Sequence, residues 1–287
     1  MTLIPAYRSR ASALHSARAP IGAAFCLSFA LVGALYRNPL ILAAALGGIL
    51  AAGISAGVGR EVARSLKLAL PFALLVAVVN ALVYQGGDTI LIHGDHFLGR
   101  RWDITLEATV EGLMIGMRIV VLVAALGGLM SAAVDPDELL KAMRRWSYRS
   151  ALTAALATRL VPVLARDARR FHDAQRCRPG PPASKLALAR AVTTGALDRA
   201  VDVAATLEVR GYGGGGRPAR RSRPWSRHDF AFLAASAVLV GLAAFGAERF
   251  SAYPEFSAPV TAGEFVLAAA LVVAALAPFA DRRGIGR

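Results

Sequence analysis

The chain alternates long apolar stretches with short polar segments, and six of the apolar stretches approach the length of a membrane helix. A spanning helix needs about 20 mostly apolar residues. The predicted spans cover residues 20–36, 39–58, 67–84, 108–133, 230–247 and 263–280. Just before the fifth span, Ser226-Arg-His-Asp229 has the spacing of a capping box and predicts a helix start. The pattern predicts an all-α, polytopic membrane protein with about six transmembrane helices.

The polar region between the fourth and fifth spans is long enough to form helices of its own. It begins with Asp135-Pro136-Asp137-Glu138, where the aspartate can cap a helix and the proline suits its first position. Two amphipathic runs follow at residues 150–178 and 184–210, and Pro162 is expected to kink the first of them. The predicted division of the chain is four spans, an amphipathic helical region and a two-span hairpin, at residues 1–134, 135–229 and 230–287.

Both amphipathic runs end in the same way, with an arginine in the last turn. Arg178 precedes Pro179-Gly-Pro-Pro, and Arg210 precedes Gly211, which suits the position just after a helix. The runs are too apolar to be free in water and too charged to span, so they could lie on the membrane or dock in a partner's groove. Two simpler interpretations remain open: a basic interfacial helix pair without a partner, and arginines that only cap helix carbonyls.

The second run has a predicted apolar face and a predicted water-facing side. The apolar face comprises Leu188, Val192, Leu197, Val201 and Ala204. The water-facing side comprises Asp198, Arg199, Asp202 and Glu208.

Composition and charge place the chain in a membrane. Its 287 residues are 56% hydrophobic, with a mean hydropathy of +0.50 and a net charge of +14. In a soluble protein that charge would suggest nucleic acid. Here the charge is sorted by loop: if the N-terminus is placed inside, most lysines and arginines fall in the inside segments, as the positive-inside rule requires. We therefore expect a lipid bilayer as the surroundings, no nucleic-acid partner, and both termini and residues 135–229 in the cytoplasm.

One charge and two glycine pairs stand out inside the spans. Arg118 is a functional candidate because a charge in a span is costly, but pairing with an acid or with backbone carbonyls explains it equally well. Gly53 with Gly57, and Gly112 with Gly116, have the spacing that lets membrane helices approach closely. Their simpler explanation is the general frequency of glycine in such helices.

The residues give no support to an enzyme. The chain contains no Gly-x-x-x-x-Gly-Lys-Ser/Thr loop for phosphate, no His-Glu-x-x-His and no nucleophile elbow. His93 and His96 lie in the outer loop 85–105, where a solvated loop is the simpler interpretation than a metal site. We expect no catalytic residues, no metal and no cofactor.

Five short elements occur in order along residues 116–213. They are Gly116-Met-Arg118-Ile, Asp135-Pro-Asp-Glu-Leu139, Arg159-Leu-Val-Pro162, Ala174-Gln-Arg-Cys-Arg178 and Glu208-Val-Arg210-Gly-Tyr-Gly. Together they resemble the transmembrane T component of energy-coupling factor (ECF) transporters, the EcfT/CbiQ-like family that includes the cobalt-transport permease type. The resemblance covers about residues 110–213, and the flanking spans agree only in being hydrophobic.

The resemblance implies an energy-coupling subunit of a prokaryotic ABC importer in the cell (inner) membrane. Such a subunit couples two ABC-type ATPases to a small substrate-binding membrane subunit, the S component, for uptake of a vitamin or a transition-metal ion. Metal ions, biotin and thiamine precursors all remain open as substrates. The alternatives are a stand-alone transporter or channel with Arg118 on its pathway, and a membrane-bound enzyme with an unfamiliar site.

The resemblance also implies which residues contact the ATPases. In that family two cytoplasmic coupling helices each end in an X-Arg-X motif that sits in a groove of one ATPase. The implied contacts are Cys177, Arg178, Val209, Arg210 and Gly211, with Arg176 as the alternative because Pro179 replaces the usual glycine. The implied structural or coupling residues are Arg118, Asp135, Arg159, Pro162, Ala174, Gln175 and Glu208.

Overall fold

Helices dominate the computed structural model, and two short β ladders complete it. The structure describes residues 7, 10–83, 89–92, 96–97, 100–101, 104–143, 147–177, 184–212, 224–245 and 262–281. The helices are α1 (Ala13–Ser16), α2 (Ala19–Leu35), α3 (Pro39–Ser55), α4 (Gly59–Val83), α5 (Leu106–Leu122), α6 (Ser131–Ala133), α7 (Pro136–Met143), α8 (Tyr148–Arg176), α9 (Lys185–Val209), α10 (Arg227–Phe245) and α11 (Ala262–Leu276). A π-helical segment, Val123–Met130, joins α5 to α6, and a 3₁₀ turn, Ala277–Phe279, extends α11.

All six predicted spans are helical, and the all-α polytopic membrane class is confirmed. Among the described residues, four helical stretches are long and apolar enough to cross a membrane: Gly59–Val83, Leu106–Ala133, Arg227–Ala244 and Ala262–Phe279. The apolar helices α2 and α3 are shorter, at 17 residues each. The helix of the third predicted span, α4, begins at Gly59, earlier than the predicted start near residue 67, because the charged residues of its first two turns conceal it from a hydropathy pattern.

The described chain divides into two compact units. The first contains Met1–Leu139 and Trp225–Arg287, and the second contains Leu140–Pro224. In the first unit α2 packs against α10, α3 against α11, and α4 against α5. Aromatic rings fill part of this core: Phe25 meets Phe29 and Phe232 edge to face, at centroid distances of 5.2 and 5.1 Å. Such contacts stabilise a pair beyond the area they bury.

The predicted capping box at the start of α10 is present. The Asp229 amide donates to Ser226 Oγ at 3.2 Å, and the Ser226 amide donates to Asp229 Oδ2 at 2.8 Å. The other carboxylate oxygen, Oδ1, accepts the Arg18 amide at 2.8 Å, just before α2. The Arg18 guanidinium lies 4.7 Å from the centroid of the Trp225 ring. One buried aspartate therefore ties together the starts of two neighbouring helices.

The two glycine pairs have different structural roles. A Cβ on Gly112 would stand 2.7 Å from the Ala77 carbonyl oxygen, and one on Gly116 would stand 2.8 Å from that of Ala73. This pair therefore lets α5 approach the backbone of α4 closely. The interpretation of Gly53 and Gly57 as such a pair is wrong, because Gly57 lies beyond the end of α3, in the turn to α4, with a φ of 75°. A turn in this left-handed region needs glycine.

The loop predicted at residues 85–105 contains short strands that the sequence pattern did not indicate. β1 (Ile90–Ile92) pairs antiparallel with β4 (Ile104–Thr105), and β2 (His96–Phe97) pairs antiparallel with β3 (Arg100–Arg101). His93 lies outside the described residues. Within the part of the chain that the structure describes, no cluster of three or more His, Cys, Asp or Glu side chains could hold a metal ion.

Candidate functional site

The polar region begins at the helix start that the sequence predicts. Asp135 Oδ1 accepts the Asp137 amide at 2.9 Å, and α7 begins at Pro136. Burial, and then the negative charges of Asp135 and Glu138, raise the pKa of Tyr7. The described part of α7 extends to Met143, and residues 144–146 lie outside the described residues.

The helix α8 carries the first implied arginine motif at its end. Ser147 caps its start by accepting the Ser150 amide, and the helix continues through Pro162 to Arg176. At its end the Cys177 amide donates to the Asp173 carbonyl at 3.3 Å. Arg176 and Cys177 are exposed, whereas Arg178 lies outside the described residues. Arg176 is therefore the last arginine of this motif whose place on the helix is known.

The helix α9 carries the second motif, and its end has a complete Schellman arrangement. Gly211 has a φ of 78°, and its amide donates to the Glu208 carbonyl at 2.8 Å. The Tyr212 amide donates to the Leu207 carbonyl at 2.9 Å. These two bonds satisfy carbonyls that a helix end leaves unpaired. Arg210 is the last residue before the glycine, and its side chain is exposed, so it is not needed to close the helix.

The helices α8 and α9 pack against each other along a stripe that only partly matches the prediction. The half-buried stripe of α9 consists of Leu188, Val192, Gly195, Ala196, Arg199, Val203 and Leu207. Leu188 and Val192 belong to it as predicted, but the assignment of Leu197, Val201 and Ala204 to the same face is wrong, because all three are exposed. At 100° per residue, those three positions lie on the opposite side of the helix.

An ion pair links the two helices. Arg199 Nη1 lies 3.0 Å from Asp167 Oδ2, and the two side chains are 39% and 19% exposed. The prediction that Arg199 belongs to the water-facing side is therefore wrong. An arginine can bury its aliphatic stem against a neighbouring helix while its head reaches a carboxylate. The pair shows that Asp167 of α8 and Arg199 of α9 lie opposite each other where the two helices pack.

Leu197 and Val201 form an exposed apolar stripe on the side of α9 opposite its packed residues, and Val209 is a further exposed apolar residue just before Arg210. Leu197 is 63% exposed, Val201 is 68% exposed and Val209 is 90% exposed. The sequence pattern missed this surface because it assigned Leu197 and Val201 to the packed face. Arg210 is exposed as well, so its side chain can enter a partner's groove without first leaving a buried position.

The other implied residues lie along these helices. Arg159 and Ala174 occupy exposed positions on α8, and Gln175 is half-buried. The Pro162 carbonyl accepts a bond from Arg166 Nε at 3.3 Å. Glu208 is exposed, and its carbonyl accepts the Gly211 amide.

Arg118 lies in α5 and reaches the end of a neighbouring helix. Its Nε donates to the Gly33 carbonyl at 3.1 Å, and its Nη2 donates to the Ala34 carbonyl. Both carbonyls belong to the last turn of α2, where no intrahelical donor remains for them. The negative end of the helix dipole also favours a cation there. This geometry supports the structural interpretation of Arg118, with carbonyls as its partners.

The chain matches the CbiQ family, described as cobalt transport protein, over residues 10–221. The chain belongs to the CbiQ family. A comparison with curated proteins found no match. The family match includes α1 to α9 and ends before α10. Membership makes this chain a membrane transport component.

In this CbiQ-family protein, we expect Arg118→Leu to destabilise the fold. The change removes the donor of the Gly33 carbonyl, in a buried residue, and the donor of the Ala34 carbonyl, in an exposed residue. A buried carbonyl left unsatisfied costs about 1–3 kcal/mol. The thermal midpoint in detergent should fall by about 2–4 °C for each kcal/mol, with Arg118→Lys intermediate. The exposed Arg170→Leu is the control and should leave the midpoint unchanged. Unaltered stability of Arg118→Leu together with lost transport would instead place Arg118 on a transport pathway.

Proposed function

We propose that this protein is the T subunit of an energy-coupling factor importer. It would transmit ATP-driven motion from two ATPase subunits to a small substrate-binding membrane subunit. The transported class is a micronutrient, either a vitamin or a transition-metal ion, and the cobalt transport description of the family favours the metal ion. The chain supplies no catalysis itself, because its sequence has no phosphate-binding loop.

The observation that carries this proposal is the pair of packed helices that each end in an exposed arginine-containing turn. α8 ends with Arg176 and Cys177, and α9 ends with Val209, Arg210 and Gly211. The glycine-closed end of α9 supplies its own carbonyl partners, so the Arg210 guanidinium is available for a partner. Guanidinium groups bind carboxylates in a forked, two-bond geometry that suits recognition in a groove.

The length of α9 supports separate contacts for the two arginine motifs. The helix has 25 residues and is therefore about 37 Å long. Only a short stretch of sequence separates the described end of α8, at Cys177, from the N-cap of α9, at Ser184, so this end of α8 lies near that start. Arg210 lies a full helix length away from it. Two sites so far apart suit two ATPase subunits better than one groove.

The packing of the two helices supports transmission of motion between these ends. The Asp167–Arg199 pair and the half-buried stripe of α9 hold the helices together along their length. A displacement applied at either arginine would therefore move both helices. The exposed apolar stripe of α9 is the surface we assign to partner subunits.

The proposed location is the prokaryotic cell membrane, with both termini in the cytoplasm. In this orientation the basic region 135–229 and the start of α4 face the cytoplasm. The outer side then carries the strand-containing segment that follows α4.

Site-directed labelling tests this orientation. In a background without Cys26 and Cys177, single cysteines at Asp95 or Phe256 should react with an impermeant maleimide added outside intact cells. A cysteine at Gly215 should react only after the cells are opened. Labelling of Gly215 alone in intact cells would reverse the orientation.

Purification tests the subunit assignment. The isolated chain should hydrolyse no ATP, whereas mild detergent extraction from its own cells should yield two ATPase chains and one small membrane subunit with it. Hydrolysis in a preparation free of other subunits would exclude a pure coupling role and favour an enzyme. Transport by the isolated chain in liposomes would favour a stand-alone transporter.

A further inference from the structure

The first two turns of α4 carry a basic stripe that the proposed function does not use. Arg60, Arg64 and Lys67 are spaced four and three residues apart, and all three are exposed. At 3.6 residues per turn they lie on one face of the helix. The acidic residue beside them, Glu61, is already bound to Arg10, whose Nη2 lies 2.6 Å from Glu61 Oε1. The stripe therefore keeps a local excess of positive charge.

The same face of α4 becomes apolar immediately beyond Lys67. Pro71, Leu74, Leu75 and Val78 continue the stripe at helical spacing, and all are exposed. Leu74 is 66% exposed and Leu75 is 59% exposed. The stripe is therefore cationic for about 10 Å and apolar for the next several turns.

The opposite face of α4 is the one that packs on the protein. Val62, Ser65, Ala69 and Ala73 are buried. A Cβ on Gly128 would lie 3.0 Å from the Val62 Cα, and one on Gly116 would meet the Ala73 carbonyl, so α4 is held closely on this side. The basic and apolar stripe therefore lies on the face of α4 that does not pack against the rest of its unit.

We infer that this stripe binds an anionic phospholipid lengthwise, with the phosphate headgroup on Arg60, Arg64 and Lys67 and an acyl chain along Leu74, Leu75 and Val78. Charge complementarity favours an anionic over a zwitterionic headgroup, because the three cations attract a net negative charge and repel the ammonium group of a zwitterionic headgroup. Charged side chains followed by apolar side chains along one face match the charged headgroup and the acyl chain of a lipid molecule. Lys67 can extend its stem along the apolar surface and keep its ammonium at headgroup level. In the proposed orientation this lipid belongs to the cytoplasmic leaflet, but its binding does not depend on the coupling role.

The test is lipid retention after reconstitution in mixed phosphatidylcholine and phosphatidylglycerol, measured by native mass spectrometry of the intact chain. The natural sequence should retain phosphatidylglycerol preferentially. The neutral variant Arg60→Gln/Arg64→Gln/Lys67→Gln should lower this preference about fivefold per charge, which is on the order of a hundredfold in all. The variant Arg60→Lys/Arg64→Lys/Lys67→Arg keeps the charge and should keep the preference.

The matched control removes three exposed arginines from α8 and α9 instead: Arg169→Gln/Arg170→Gln/Arg190→Gln. It changes the net charge equally but should leave the lipid preference intact, and equal loss in this control would overturn the proposal.

Competition with excess inorganic phosphate tests whether the stripe binds free phosphate instead of a lipid headgroup. The phosphate should not displace the lipid, because phosphate lacks acyl chains, and displacement would also overturn the proposal. If the neutral variant does not fold, the charge-conserving variant and the phosphate competition still decide the outcome.

Discussion

Replacing both Arg178 and Arg210 by alanine is expected to remove the two ATPase subunits from the purified complex. A guanidinium that meets a buried acid leaves an uncompensated charge when it is lost, at a cost of about 3–5 kcal/mol. An exposed pair would contribute only about 0–1 kcal/mol. Since about 1.4 kcal/mol corresponds to tenfold in affinity, two such losses would exceed what purification tolerates. Co-purification from detergent, followed by staining for both ATPase chains, measures this outcome.

The single variants should separate assembly from transport. Arg178→Ala or Arg210→Ala leaves one motif in place, so the ATPases should partly co-purify while uptake falls. Lysine at either position should restore little, because an ammonium cannot form the forked contact. Arg220→Ala, in the basic linker after Gly216, is the control and should be nearly silent. Normal transport and co-purification of the double variant would show that neither arginine makes a contact on which ATPase binding depends.

The Schellman end of α9 gives this experiment a second control. Gly211 adopts a φ of 78°, so Gly211→Ala strains the helix end by about 1–2 kcal/mol while it keeps the Arg210 guanidinium. If the guanidinium makes the contact, Gly211→Ala should weaken ATPase binding less than Arg210→Ala does. An effect as large as that of Arg210→Ala would show that the shape of the turn matters more than the charge.

Local signals in the sequence placed the helix boundaries well. The capping residues Asp135, Ser226 and Asp229 make the hydrogen bonds that their spacing predicts, and Gly211 closes α9 in the left-handed region. These bonds join residues at most a few positions apart, so the sequence contains everything that determines them. The start of α4 was placed too late for the opposite reason: the charges near Arg60 hid a helix that tertiary packing extends.

Contacts between segments that are distant in the sequence could not be predicted from the sequence. α9 carries apolar residues on two sides, with Val192 on one and Val201 on the other, and only the position of α8 decides which side is covered. The ion pair between Asp167 and Arg199 follows from the same packing. The sequence could not decide between a structural and a functional role for Arg118, because its partners are backbone carbonyls of α2. Every residue has a backbone carbonyl, so residue types do not identify such partners. The motif at Arg178 stays a prediction from the sequence.

Gly116→Ala is expected to destabilise the membrane unit, although Gly→Ala in a helix usually stabilises. Alanine normally lowers the entropy of the unfolded chain and favours the helix by about 0.5–1 kcal/mol. At Gly116 the new methyl group would lie 2.8 Å from the Ala73 carbonyl oxygen, which is backbone and cannot rotate away. α4 and α5 must then separate, and overpacking of this kind costs about 1–3 kcal/mol.

Gly47 provides the matched control in α3, because a Cβ there has no atom within 4 Å. The same chemical change should therefore have opposite signs at the two positions: the thermal midpoint in detergent rises slightly for Gly47→Ala and falls for Gly116→Ala, by about 2–4 °C per kcal/mol. Gly112→Ala should behave like Gly116→Ala, since its Cβ would lie 2.7 Å from the Ala77 carbonyl oxygen. Midpoints that rise for all three variants would show that α4 and α5 are not in close backbone contact, and the interpretation of Gly112 and Gly116 as a packing pair would fail with it.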